Sequence, residues 1–443
     1  MPTELWAEYL ESAYHEYLPL LREQNELSTK TMWILNDLMV GEQNWPVFDQ
    51  DGAWASGQWK GLWDRDVRIA ELDREGVAAE LVYFGDVRTN DLFHNVMNAA
   101  YPPDVTDAGA RAYDRWVHDA FGSQNDRLLL SGAIGSSTDV AGLIAELRWL
   151  ADRGFVGTYA PGFNWTPGLP PLYDEYWDPI WAAYAELGLV PIVHGGYGME
   201  PGSVHAEIEQ ATSRVAAKGG SEMDLVIELT SGRFNDTGFF ADLTCRKALC
   251  QVILGGVFDR HPDLRWMMTE VRADWVPATL RYLDEVFEAN RDDLPVERRP
   301  SEYWQSNCLA GTSFMHRSEV EHRDEIGVDT LDFGRDYPHT ESTWPNTIDY
   351  YKILFAGVPK DDVRKILGEN AIRFFDLDRS HLAAIAERIG PDLDEITDPD
   401  ATVEPALVEH LAQRCGVLKP WEGDQRVKAL DEALADDLER VRA

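Results

Sequence analysis

Short apolar runs recur along the middle of the chain, each preceded by a stretch of helical periodicity, and no other feature narrows the possible folds as much. The runs are Ala79–Gly85, Arg127–Ile134, Phe155–Tyr159, Leu189–Gly196, Leu264–Glu270 and Asp329–Gly334, with a weaker one near Ser306–Phe314. The helical stretches fall at about Asp66–Glu75, Gly109–Phe121, Val140–Asp152 and Asp178–Leu187. Continuous apolar runs, rather than alternating ones, are what parallel strands buried on both faces require. Six such strands and a weaker seventh approach the eight of a (β/α)₈ TIM barrel. A doubly wound open sheet also alternates strand and helix, but no glycine-rich phosphate turn follows the first strand. The pattern therefore predicts an α/β barrel.

The barrel is expected over residues 64–375, with a long insertion at about 205–244. Before it, residues 1–63 read as a helix and an arm. Trp6, Tyr9, Leu10, Tyr14, Tyr17 and Leu18 are spaced by threes and fours, which predicts one amphipathic helix from Glu4 to about Glu26. A Trp-, Gly- and Asn-rich arm follows. Behind the barrel, residues 376–443 read as an acidic helical C-terminal extension, in which Leu430, Leu434 and Leu438 share a face.

Charge and cysteine usage exclude several functions. Forty basic against 78 acidic residues leave a net charge of −38, which repels phosphate backbones and anionic lipid surfaces. No nucleic-acid or membrane partner is expected, and no apolar stretch nears the roughly 18 residues of a membrane span. The start of the chain has neither the basic region nor the apolar core of a signal peptide, so a cytoplasmic location is expected. Four cysteines lack zinc-finger spacing and are too few for a disulfide framework, and so read as buried small hydrophobes.

In a barrel the groups at the C-terminal strand ends face the site. His194 ends Pro191-Ile192-Val193 and precedes two glycines that let the backbone turn away from the imidazole. Glu270 ends Trp266–Thr269, and Asp336 follows the last run. Carboxylates and imidazoles at strand ends suit a metal, or proton transfer from metal-bound water. Asp336 and Glu270 are thus candidate catalytic groups, and His194, Asp336, Glu270 and His339 candidate metal ligands, with His316 weaker. Glu270 reads equally as a structural carboxylate paired with Arg272 or Arg335, and Asp336 as a turn residue. Trp165, Trp177 and Trp181 are expected to pack in the core from helices, with the lining of a small apolar pocket as the alternative.

Several segments resemble the amidohydrolase-related (amidohydrolase-2) group of the amidohydrolase superfamily. They are Ile253–Trp266 (ILGGVFDRHPDLRW), Gly334–His339 with Ser342–Pro345, and Gly368–Ala371. The resemblance covers about residues 64–375. It implies a metal-binding (β/α)₈ barrel whose members are hydrolases, decarboxylases, hydratases and, in one branch, dinuclear-metal oxygenases. It makes His194 the fifth-strand metal histidine, Asp336 the eighth-strand aspartate and Glu270 the sixth-strand site residue. A divalent metal is expected, zinc before iron or manganese.

This chain departs from the group's pattern in three places. The group's first strand ends in His-x-His or Glu-x-His, whereas the only histidine here before residue 94 is His15. The substitute segment Met32–Asp37 offers Asn36 and Asp37, and an amide oxygen is a poor ligand for zinc or iron. A small Ser usually precedes the last aspartate, where this chain has Arg335, expected to compete for the carboxylate and repel the cation. Val271-Arg272-Ala273-Asp274 replaces the small residues that usually follow the sixth-strand glutamate. These departures predict an altered, mononuclear or degenerate site in a subunit of an oxygenase resembling 2-aminoisobutyrate hydroxylase, partnered by a related amidohydrolase-like chain or by itself. The alternative is a stand-alone hydrolase, decarboxylase or non-haem iron monooxygenase acting on a small organic substrate. A metal-free binding protein is the third reading.

Overall fold

The computed structural model describes residues 1–23, 49–84, 101–122, 126–163, 166–198, 213–220, 234–313, 315–339 and 342–414. Seven parallel strands lie in chain order in one curled sheet: β1 (Glu80–Val82), β2 (Leu128–Gly132), β3 (Gly157–Tyr159), β4 (Val190–His194), β5 (Trp266–Thr269), β6 (Cys308–Ser313) and β7 (Leu331–Gly334). Each apolar run of the sequence became one of them. Helices α1 (Arg65–Arg74), α2 (Pro103–Val117), α3 (Val140–Ala151), α4 (Asp178–Leu187), α5 (Phe234–Leu254), α6 (Val276–Ala289) and α7 (Pro300–Asn307) precede or link successive strands. After β7 come α8 (Thr347–Phe355), α9 (Asn370–Phe375), α10 (Arg379–Ile389) and α11 (Pro405–Arg414). This is a (β/α) half-barrel, consistent with the eight-stranded barrel, and among the described residues β1 and β7 form its two edges.

Strand periodicity decides what faces inward, because alternate side chains point to opposite faces. Val190 and Ile192 pack with Met267 and Leu309 in an interior cluster capped by Phe374 and Phe375 of α9. Val193, Trp266 and Met268, of the opposite parity, join the larger layer between sheet and helices. His194 shares the parity of Val190 and Ile192, so its imidazole is directed to the inside of the sheet at the strand's C-terminal end.

One expectation needs correction. The single N-terminal helix is broken into a 3₁₀ turn (Thr3–Leu5), a short helix (Trp6–Tyr9) and a second 3₁₀ stretch (Ser12–Tyr17). Extended backbone at Leu10 and Glu11 interrupts it. Tertiary contacts override the helical spacing: Trp6 and Leu10 are buried, Glu11 meets Arg111 of α2 at 2.6 Å, and Tyr9 donates to Asp119 at 3.2 Å. Trp177 and Trp181 are core residues, as expected, 1% and 0% exposed, with Trp181 packed 6.0 Å from Trp266. Trp165, the Met32–Asp37 segment, Leu430, Leu434, Leu438 and most of the 205–244 insertion lie outside the described residues.

Candidate metal centre

The C-terminal ends of β4, β5 and β7 bring His194, Glu270, Asp336 and His339 to one cavity of about 850 Å³. Ligand atoms of Glu270, Asp336 and His339 all lie within 4.8 Å of one another. His194 stands outside that triad but touches it, with Nε2 3.0 Å from Oε2 of Glu270. The other ring nitrogen, Nδ1, is 2.9 Å from the Gly195 carbonyl oxygen. Both nitrogens therefore face acceptors, which calls for the doubly protonated imidazolium. Burial disfavours that charge, but the Glu270 carboxylate outweighs it and raises the His194 pKa to about 9.

Local backbone geometry serves this approach. Gly195 follows His194, and a Cβ there would come within 3.1 Å of both the Glu270 carboxylate and its carbonyl oxygen. Any larger residue there would press the Glu270 carboxylate back by a few tenths of an ångström. Glu270 and Asp336 both adopt left-handed backbone, with φ of 52° and 58°. Such a conformation costs a non-glycine residue roughly 1–3 kcal/mol, and it tends to persist where function demands it. Asp336 is further tied to His339, whose N–H donates to the Asp336 carbonyl at 2.8 Å. One short turn thus carries two of the three clustered donors.

Aromatic rings wall the imidazole. Tyr159, Tyr83 and Phe163 lie 5.3, 6.1 and 6.4 Å from the His194 ring, centroid to centroid. Burial first, and then the nearby carboxylates, push the Tyr159 phenol far upward. Burial does the same to Tyr83, so both remain neutral hydrogen-bond donors. Below the triad, Asp332 faces the same cavity, and burial raises its pKa to about 7.

The two arginines expected to neutralise the site carboxylates are engaged elsewhere. Arg272 pairs with Asp274 and donates to Ser318 Oγ at 2.9 Å. Arg335 turns away from its neighbour Asp336 and pairs with Glu80 at 2.8 Å. Glu270 meets His194. His316 is buried at the start of a short helix, its backbone N–H donating to Glu319 at 2.6 Å, and is not in the triad. Sequence reasoning missed Tyr83, Tyr159 and Phe163 because their convergence on His194 depends on the curl of the sheet. The strand-end positions of Tyr83 and Tyr159 were the available signal.

Two carboxylates and an imidazole, one ligand atom each, meet the three-donor requirement of an open mononuclear site, and mixed O and N donors suit manganese, zinc or iron. The donor set fits a divalent cation.

A family model described as amidohydrolase matches residues 52–377. Among solved structures, an amidohydrolase from Mycobacterium avium subsp. paratuberculosis K-10 is 22% identical, covering 72% of this chain and 75% of its own, with a TM-score of 0.52. The 5-carboxyvanillate decarboxylase from Sphingomonas paucimobilis is 19% identical, covering 70% and 82%, with a TM-score of 0.50. A dihydroxybenzoic acid decarboxylase from Polaromonas sp. JS666, with bound manganese and the inhibitor 2-nitroresorcinol, is 17% identical, covering 72% and 87%, with a TM-score of 0.50. At these identities the likeness concerns the fold. A search of curated proteins finds no match. With well over half its length inside one family model, the chain belongs to the amidohydrolase family.

Proposed function

We propose that this chain is a divalent-metal-dependent enzyme that decarboxylates a small, carboxylated, aromatic-compatible substrate in the cavity above β4, β5 and β7. The observation that carries the reading is a histidine ring nitrogen 3.0 Å from one member of a three-donor cluster. Glu270, Asp336 and His339 are the proposed ligands. Bound there, a divalent cation supplies Lewis-acid polarisation of a substrate oxygen.

The chain's own groups do the rest. His194 holds a proton at neutral pH beside the cluster, as an acid that must protonate carbon after carbon dioxide leaves. Tyr83, which lines the cavity, offers a flat wall to a ring, backed by the buried Tyr159. The Tyr159 hydroxyl donates to the Phe84 carbonyl oxygen at 2.8 Å, which fixes its ring beside His194. The cavity volume falls within the roughly 300–1,000 Å³ typical of small-molecule sites. The manganese-bound decarboxylase with this fold supports both the cation and the substrate class. An oxygenase subunit, the reading favoured by the missing first-strand ligands, draws no support from these relatives. Hydrolysis is the second reading, with Asp336 as the base toward water.

The test is turnover by purified protein loaded with Mn²⁺ and offered hydroxylated benzoates, including 2,6-dihydroxybenzoate and 5-carboxyvanillate, followed by carbon dioxide release. Release that stops on chelation supports the proposal. Inertness toward every carboxylate, combined with cleavage of esters or lactones, would replace it with hydrolysis.

A further inference from the structure

The two edges of the sheet among the described residues, β1 and β7, are joined by charge. Arg335, just past β7, donates through Nη2 and Nε to one oxygen of Glu80 on β1, at 2.8 and 3.1 Å. The other Glu80 oxygen takes Arg68 of α1. The side chains of Arg335, Glu80 and Arg68 are 5, 11 and 7% exposed. Arg335 also lies 4.0 Å from Glu75, which is held by Thr347 and by Arg74 at 3.3 Å. Arg74 in turn grips Glu71 at 2.6 Å, and Glu71 accepts from Trp344 Nε1 at 2.7 Å. Arg68, Arg74 and Arg335 balance Glu71, Glu75 and Glu80, so this buried network is neutral as a set.

The network holds the ligand-bearing turn at its base. Arg335 is fixed by its side chain to β1 and by its carbonyl oxygen to the Thr343 N–H at 3.1 Å. Trp344 and Thr347 attach the far side of the turn to Glu71 and Glu75. Between these anchors sit Asp336, in left-handed backbone, and His339. A strained residue relaxes when its surroundings no longer over-determine it. Moving a ligand by about half an ångström is enough to degrade a metal site.

We propose that Arg335 is a positioning residue of the metal centre: by clasping Glu80 across the edges of the sheet it holds Asp336 and His339 in ligating geometry. This rests on the metal reading above. It also reverses the expectation from sequence, because the guanidinium is spent on Glu80 and Glu75 and supports the cation's ligands.

The test is Mn²⁺ affinity, measured from the EPR signal of the free ion, together with melting temperature. Arg335→Met and Glu80→Gln should each weaken binding by about 10- to 100-fold, the range for partners that orient ligands. The double variant should be no worse than the weaker single one. Arg127→Met is the control: Arg127 pins the approach to β1 through Asp73, Val77 and Ala78, away from the turn. It should lower the melting temperature and leave Mn²⁺ affinity within about twofold, the additivity expected of an independent site. If Arg335→Met fails to fold, Arg335→Lys keeps the charge but loses the two-nitrogen grip, and should still weaken binding. Unchanged affinity in the Arg335 variants, or an equal loss in Arg127→Met, overturns the proposal. A wild type that binds no Mn²⁺ overturns the metal reading itself, and this proposal with it.

Discussion

His194 and Glu270 face each other at 3.0 Å across the ends of adjacent parallel strands, with Gly195 leaving the space that lets them meet. The register makes this pairing natural, since His194 is opposite Thr269 and Glu270 is the next residue. Glu270 thereby belongs to two sets at once, the imidazolium pair and the three-donor cluster.

His194→Gln separates these roles. The variant keeps a hydrogen-bonding side chain beside Glu270 but carries no proton to give. Turnover should fall by roughly 10²- to 10⁴-fold, the usual contribution of a general acid. Mn²⁺ binding should persist, because Glu270, Asp336 and His339 remain. Steady-state kinetics and calorimetric metal titration on the same preparation check this, and loss of metal binding in the variant would make His194 a ligand.

Asp332 gives stability a pH dependence of known sign. Burial raises its folded pKa to about 7 from an ordinary 3.8. The folded state therefore holds the proton more tightly than the unfolded state does. The resulting stabilisation is complete below about pH 4 and is lost as pH rises through about 7. Asp332→Asn removes the titration. Its melting temperature relative to wild type should climb between pH 5 and 8, and parallel curves would contradict the assignment.

Glu319 ties the loop after β5 to the loop after β6. One carboxylate oxygen accepts from the Ala273 N–H at 2.5 Å and the other from the His316 N–H at 2.6 Å. Burial, then Asp274, raise its pKa to about 7. Glu319→Ala strips both donors of their acceptor at a cost of about 1–3 kcal/mol each. Urea unfolding should show a large drop in midpoint, with Glu319→Gln intermediate; an unchanged midpoint for Glu319→Ala would show the loops do not depend on it.

The sequence was readable where one run of residues carries the information. All seven strands appear as apolar runs, and His194, Glu270 and Asp336 stand out because they end or follow such runs. Pairings across distance were not readable. Arg335 chooses Glu80, 255 positions away, over the aspartate beside it, and Arg272 chooses Asp274 and Ser318. Both choices depend on side-chain direction at a loop, which residue type does not encode. The left-handed backbone of Glu270 and Asp336 is equally silent, since neither is glycine. At the N-terminus the helical spacing was real, but contacts with Arg111 and Asp119 outweighed it.

The central claim is that Glu270, Asp336 and His339 together hold one divalent cation. Metal stoichiometry of wild type against Glu270→Gln, Asp336→Asn and His339→Ala, by elemental analysis after loading with Mn²⁺ and desalting, tests it most directly. The account predicts one equivalent in wild type and a substoichiometric content in every variant, each still folded by circular dichroism. A full equivalent retained in all three variants would contradict it.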